Sequence, residues 1–190
     1  MSVRVQAGRQ RGQRLRVPAG GRTRPTGSLV RGAMFDMVAA RGWLGDARIL
    51  DLFAGSGALG IEALSRGAAE VVFVEDSPGA IRVLRANLAT SGVREQATVL
   101  PLPADRALKR LERDAVRVHG VFADPPYGRG WVRRTLDWLA HGDVLEVGGW
   151  IAIEHDARET PPAVPRLTMV AERRHGQTSV SVLVKEGSRE

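Results

Sequence analysis

The sequence predicts a doubly wound α/β fold. Its mostly parallel seven-stranded sheet carries helices on both faces, ends in an antiparallel hairpin and follows a small basic hairpin arm. Three observations carry this reading. From Arg48 onward, short apolar runs alternate with stretches of helical periodicity, as in a parallel sheet built from crossover units. The first of those runs ends in a glycine-rich turn that opens a helix. The last two runs are joined through Gly176-Gln177, a connection that suits a hairpin and is too short for a crossover.

The elements follow in order. Segments 3–6 and 13–17 alternate weakly around Gly8 and Gly12 and read as a hairpin, and 18–27 is a Pro/Gly-rich linker. Ser28 is placed to cap a helix through about Arg41, with Leu29, Ala33, Met34, Met37 and Val38 at helical spacing. Strands are predicted at 48–52, 70–75, 97–100, 120–124, 149–154, 167–173 and 179–185, and helices at 58–66, 78–90, 104–113 and 132–140. The organisation is therefore an arm over 1–27 and one α/β domain over 28–190.

At 190 residues, 43% hydrophobic and 26% charged, the chain can bury a real core and lies outside the composition of disordered proteins. With no cysteine it has no disulfide, thiolate metal site or cysteine nucleophile. Its longest apolar runs, such as 71–74 and 148–153, are far too short to span a bilayer, and the opening residues lack an apolar signal core. A cytoplasmic protein without a membrane partner is expected.

The net charge of +7 arises at one end. Residues 1–35 hold eight arginines (4, 9, 11, 14, 16, 22, 24 and 31) and no acid, which leaves the remainder near neutral. A neutral globule with a cationic arm suits a polyanionic partner, and arginine suits bidentate phosphate contact. Arginine outnumbers lysine 26 to 2 throughout, so composition alone also admits a merely solvated tail.

Two loops carry the chemistry. In Asp51-Leu52-Phe53-Ala54-Gly55-Ser56-Gly57-Ala58-Leu59-Gly60 the glycines fit G-x-G-x-x-G, a turn that lets a ligand approach bare backbone at a helix N-terminus. Glu75 ends the next predicted strand, where a carboxylate accepts ribose hydroxyls. Asp51 would repel a pyrophosphate but suits an ammonium and a sulfonium, so the loop favours S-adenosylmethionine over a dinucleotide. The second loop, Asp124-Pro125-Pro126-Tyr127, ends a strand and contains the only tyrosine. An exocyclic base amine is a poor nucleophile. Hydrogen bonds from it to the Asp124 carboxylate and the Pro125 carbonyl would orient it and stabilise its developing positive charge. Tyr127 would stack on a base that must be flipped out or single-stranded.

On these residues the chain resembles the bacterial 16S rRNA guanine-N2 methyltransferases of the RsmD type, over nearly its whole length. The likeness includes Gly8-x-x-Arg11-Gly12-x-x-Leu15, Arg24-Pro25-Thr26, Val30-Arg31 and Phe35. It continues through the first loop into Glu62-Ala63-Leu64-Ser65-Arg66, then Glu75, the Asp-Pro-Pro-Tyr tetrad and Gly176-Gln177. The resemblance implies a Rossmann-like class I methyltransferase that methylates one guanine N2 amine in small-subunit rRNA, within a ribosomal subunit or an assembly intermediate. Asp51, Gly55 and Gly57 would hold the methionine part and Glu75 the ribose, with Phe53, Ser56 and Asp76 completing the cofactor set. Pro103 stands where many methyltransferases carry Asp or Asn, which leaves adenine to the backbone at Ala104, while Asp105 is read as a helix cap. Arg4, Arg9, Arg11, Arg14 and Arg16 would grip phosphates, with Arg24 and Thr26 at the active-site mouth. The protein is expected to act as a monomer and without a metal. Ala7, Leu29 and Gly32 depart from the family pattern.

The alternatives are an adenine-N6 DNA methyltransferase, a nicotinamide-dependent oxidoreductase and a non-catalytic RNA-binding protein. His119, His141, His155 and His175 lack metal-ligand spacing and read as loop or surface residues. The tryptophans read as packing, except that Trp131 could line the mouth. Arg129, Arg133 and Arg134 read equally as phosphate contacts or as an exposed helix face.

Overall fold

The structure, a computed structural model, describes residues 2–18 and 27–187. In chain order the strands and helices are β1 (Ser2–Arg4), β2 (Arg14–Arg16), α1 (Ser28–Ala39), β3 (Arg48–Leu52), α2 (Ala58–Ser65), β4 (Glu70–Val74) and α3 (Pro78–Ser91). They continue with β5 (Ala97–Leu100), α4 (Ala104–Arg113), β6 (Val118–Ala123), α5 (Trp131–His141), β7 (Leu145–Asp156), β8 (Leu167–His175) and β9 (Thr178–Lys185). β1 and β2 pair as a two-stranded hairpin, and the other seven strands form one sheet in the order β5-β4-β3-β6-β7-β9-β8. β3 to β7 are mutually parallel, while β9 runs antiparallel to both β7 and β8.

Helices cover both faces, so the central strands are apolar along their length instead of alternating. Along β3, Ile49 joins a core with Phe35, Ile61, Phe73 and Leu84, while Leu50 and Leu52 face Leu108, Leu111 and Leu136 on the other side. Strand parity thus assigns Asp51 to the α2 face. Trp150 is buried as expected, edge-on to Phe122 at 4.9 Å.

The hairpin lies against the sheet domain. Val5 and Leu15 are buried in the same core as Met34 and Phe35. The Glu62 carboxylate, in α2, accepts the backbone N–H of Gln6 at 2.7 Å and of Ala7 at 3.0 Å. Asn87, in α3, accepts from the Arg16 N–H and donates to the Arg16 carbonyl, both at 2.9 Å. The linker residues 19–26, Arg24 and Thr26 among them, lie outside the described residues.

Several local expectations are corrected. Ser28 does not cap α1; Gly27 occupies the cap position and Ser28 is the first helical residue. Asp105 does not cap α4 either, because Pro103 takes that position with its fixed φ and leaves Asp105 in the first turn. β7 begins at Leu145, four residues early, because Leu145 pairs with Val118 and residues 146–149 of β7 bulge before Trp150 pairs with Gly120. His155 is neither loop nor surface: it is buried in β7, 2.9 Å from the Ser181 hydroxyl. β7 is flanked by β6 and β9, which explains that burial.

Candidate active site

The order in which strands are added reverses between β3 and β6, and in doubly wound sheets ligands bind at such a switch point, beyond the carboxyl ends of the strands. Here those ends are level. Leu52 is in register with Ala123 and with Val74, and Val74 with Leu100. Backbone bonds carry the alignment into the loops, from Ala54 N–H to the Val74 carbonyl at 2.9 Å and from Asp124 N–H to the Leu52 carbonyl at 3.4 Å. The glycine loop, Glu75, the start of α4 and the 124–127 loop therefore leave one edge together.

Within the glycine loop, Gly57 caps α2 at φ 79°, and a Cβ there would lie 2.3 Å from Leu84 Cδ1. A Cβ on Gly60 would lie 2.2 Å from Phe73 Cε1, so α2 packs on β4 only because that side chain is missing. Phe53 has a left-handed φ of 67°, a conformation that costs a non-glycine residue about 1–3 kcal/mol and tends to persist at ligand sites. Its ring meets Trp131 edge-on at 5.5 Å.

Asp51 lies beneath the loop, with Oδ2 accepting the Gly60 N–H at 2.8 Å and Oδ1 buried without a hydrogen-bond partner among the described residues. Burial pushes its carboxyl up to about 7, against the pull of the Gly60 bond and with a further push from the Glu75 charge. A buried carboxyl with an unused acceptor suits a cationic ligand, so the residues fit the ammonium of the expected cofactor. Glu75 is more constrained than expected. Its Oε2 accepts from Gly55 N–H at 2.8 Å, and its Oε1 from Asp76 and Ser77 N–H at 3.0 and 2.9 Å. A carboxylate offers about four lone-pair sites, so Glu75 is held rigidly with room for about one ligand hydroxyl.

Above these groups lies a cavity of about 210 Å³ lined by Phe53, Val74, Glu75, Asp76, Leu102, Pro103, Ala104, Pro126, Arg129 and Trp131. Of the expected cofactor residues, Phe53, Glu75, Asp76 and Ala104 line it, while Asp51, Gly55, Ser56 and Gly57 are not among its lining residues. Pro103 caps α4 without any side-chain hydrogen bond, so first-turn backbone N–H groups at Ala104 open beside the cavity. Trp131 reaches the mouth, as one reading allowed, and Arg129 joins it. The signal for both was their position just after the tetrad. Leu102 went unnoticed because a lone leucine before a helix has no sequence signature.

In the tetrad only Pro126 lines the cavity; Asp124, Pro125 and Tyr127 are not among its lining residues, and Asp124 directly follows the end of β6. The Tyr127 hydroxyl donates to Glu154 Oε1 at 2.7 Å and lies 3.3 Å from Thr178 Oγ1. Burial, helped by the Glu154 and Asp124 carboxylates, raises the phenol's pKa despite the Thr178 bond, so Tyr127 stays protonated. On the hairpin, Arg4, Arg9, Arg11, Arg14 and Arg16 are all exposed. Arg31 is not part of that surface: it is buried and donates from Nη2 to the Arg4 carbonyl at 2.6 Å. No grouping of His, Asp or Glu among the described residues could hold a metal, and no described helix is long and apolar enough to cross a membrane.

The sheet order, the antiparallel end and the glycine loop at the switch point define the class I methyltransferase fold. The family model described as "Conserved hypothetical protein 95" matches residues 3–184. Ribosomal RNA small subunit methyltransferase D of Escherichia coli K12 is 35% identical over 169 residues, which span 86% of this chain and 79% of that protein. The protein of the same name from Haemophilus influenzae is 32% identical, over 93% of this chain and 91% of its own. A solved Escherichia coli structure, YhhF, superposes with a TM-score of 0.86 at 33% identity, covering 99% of this chain and 100% of that one. The chain belongs to this family, the RsmD family.

Proposed function

We propose that the protein is an rRNA methyltransferase that moves a methyl group from S-adenosylmethionine to the exocyclic N2 amine of a guanine in small-subunit rRNA. The observation that carries the reading is the Leu52–Ala123 register, which sets the cofactor loop and the Asp-Pro-Pro-Tyr loop on adjacent strand ends of one edge. The names of the two methyltransferase D relatives support the rRNA substrate.

When bound, the cofactor supplies a methyl group activated on positively charged sulfur, so no metal is needed. Asp51 pairs with its ammonium, the Glu75 carboxylate accepts from its ribose, and the Ala104 backbone meets its adenine. Phe53 and Trp131 wall the cavity with aromatic surface. Asp124 and the Pro125 carbonyl accept hydrogen bonds from the two amine hydrogens, turning the nitrogen lone pair toward the methyl carbon and stabilising the positive charge that grows there. As the N–C bond forms, the S–C electron pair would stay on sulfur as a neutral thioether leaving group, and the Asp124 carboxylate would accept the proton that the amine releases. Tyr127 stacks the flipped base, a contact worth about 1–3 kcal/mol. The exposed hairpin arginines hold phosphates.

Asp124→Ala tests the reading. Methyl transfer to small ribosomal subunits from cells lacking the protein is expected to vanish while cofactor affinity stays within about threefold, since Asp124 favours the transition state and not cofactor binding. Lost cofactor binding with normal turnover of what binds would reject the assignment. Nucleoside mass spectrometry of the product separates N2-methylguanine from N6-methyladenine, the mark of the adenine-N6 alternative.

A further inference from the structure

The base-binding loop begins in prolines and ends in glycines. Pro125 and Pro126 restrict the backbone before Tyr127, but Gly128 and Gly130 follow it with left-handed φ of 72° and 65°. With 42% of its surface exposed, the Tyr127 ring is not held by packing alone. What holds it is its hydroxyl, bonded across two strands to Glu154 at 2.7 Å on β7 and near Thr178 at 3.3 Å, the first residue of β9. Glu154 is itself 5% exposed, and β7 and β9 pair directly at Asp156–Thr178. A nearly buried carboxylate is costly and persists where it has a fixed hydrogen-bonding task.

We infer that Glu154 is a positioning residue: through the Tyr127 hydroxyl it sets the plane on which the target base stacks, and so governs the rate of methyl transfer and not the affinity for cofactor. This rests on the stacking role given to Tyr127 above. Glu154 acts from a paired sheet strand on a ring carried by a loop. Misplacing a reacting group by about 1 Å can cost about a hundredfold in rate, so the lever is large.

The test compares Glu154→Gln, Glu154→Leu, Tyr127→Phe and the Glu154→Leu/Tyr127→Phe double variant. The readouts are single-turnover transfer from labelled S-adenosylmethionine to small subunits lacking the modification, and equilibrium binding of S-adenosylmethionine. Glu154→Leu and Tyr127→Phe are each expected to slow transfer roughly 10- to 100-fold. Cofactor affinity should stay within about twofold, because neither residue is among those lining the cavity. The double variant should be no slower than the slower single, since both changes remove the same bond. Glu154→Gln, which keeps an acceptor for the hydroxyl, should recover most of the rate. Multiplying effects in the double variant, or a full rate in Tyr127→Phe, would overturn the inference. Tyr127→Phe decides even if Glu154→Leu fails to fold, because it leaves the buried carboxylate in place. A wild-type protein that transfers no methyl to rRNA would instead overturn the proposed function.

Discussion

If Asp51 pairs with the cofactor ammonium as proposed, cofactor binding is a proton-linked event. In the free protein its carboxyl is buried with a pKa of about 7, well above the ordinary 3.8, because burial outweighs the Gly60 hydrogen bond. The folded state therefore keeps a proton that an unfolded chain would release as pH rises from about 4 to 7. Stability falls across that window by up to about 4 kcal/mol, at about 1.4 kcal/mol per unit. A bound ammonium reverses the balance, because it favours the charged carboxylate and drives the proton off. Below pH 7 that release opposes binding, so affinity for S-adenosylmethionine is expected to rise roughly tenfold from pH 6 to pH 8 and flatten above. Calorimetry in buffers of different ionisation enthalpy reads the protons directly. Close to one should leave at pH 6 and few at pH 8. Asp51→Asn should weaken binding at pH 8 by about 1.5–3 kcal/mol, the worth of a hydrogen bond to a charged group, and remove the pH dependence. An affinity flat between pH 6 and 8, or a slope that survives in Asp51→Asn, would refute this account.

Two substitutions probe the scaffold behind the site. Gly60→Ala puts a methyl group 2.2 Å from Phe73 Cε1 and pushes α2 off β4, at a cost of about 1–3 kcal/mol. Thermal melting should fall by roughly 2–4 °C per kcal/mol and cofactor affinity should fall with it; an unchanged melting temperature would mean that the helix accommodates the group. Glu62→Ala strips the Gln6 and Ala7 N–H groups and Arg66 Nε of a fully buried carboxylate that accepts from all three. Breaking a buried charged pair costs about 3–5 kcal/mol, and amide hydrogen exchange at Gln6 and Ala7 should lose its protection.

Much of this architecture is legible residue by residue. β3 falls where its apolar run places it, because a strand covered on both faces reads as largely hydrophobic sequence between turn signals, and the edge strand β5 also falls where its run places it. The turns of both expected ligand loops are legible too, since glycine and proline mark backbone geometry that few other residues tolerate. The start of β7 is hidden, because Leu145 is separated from the rest of the strand by a bulge over residues 146–149 that no local pattern announces. His155 is hidden because its partner Ser181 arrives from β9. Glu62 and Asn87 are hidden most deeply, with partners that are backbone groups 55 to 71 residues away and leave no mark in any local pattern. The sequence shows a cationic arm but not the surface on which it rests.

That docking decides how the proposed role of the hairpin in RNA binding has to be tested. Asn87 is 1% exposed and, besides its two bonds to Arg16, donates to the Ser56 carbonyl at 2.9 Å, so a single amide joins β2 to the glycine loop. Glu62 and Ser65, which hold residues 6–10, sit on the helix that Gly57 starts. Deleting the hairpin would uncover the core around Val5 and Leu15, leave the Glu62 carboxylate without two donors and free the Asn87 amide beside Ser56. Truncation is therefore expected to lower stability, cofactor affinity and RNA affinity together, whatever the arginines do. Replacing exposed Arg9, Arg11 and Arg14 with Gln leaves those contacts intact, because Arg9 docks through its backbone N–H to the Ser65 carbonyl and not through its guanidinium. Each replacement should then reduce the slope of log affinity for 16S rRNA against log salt by about 0.7–0.9, with cofactor affinity and melting temperature unmoved. An unaltered slope in the triple variant would remove the hairpin from the RNA interface.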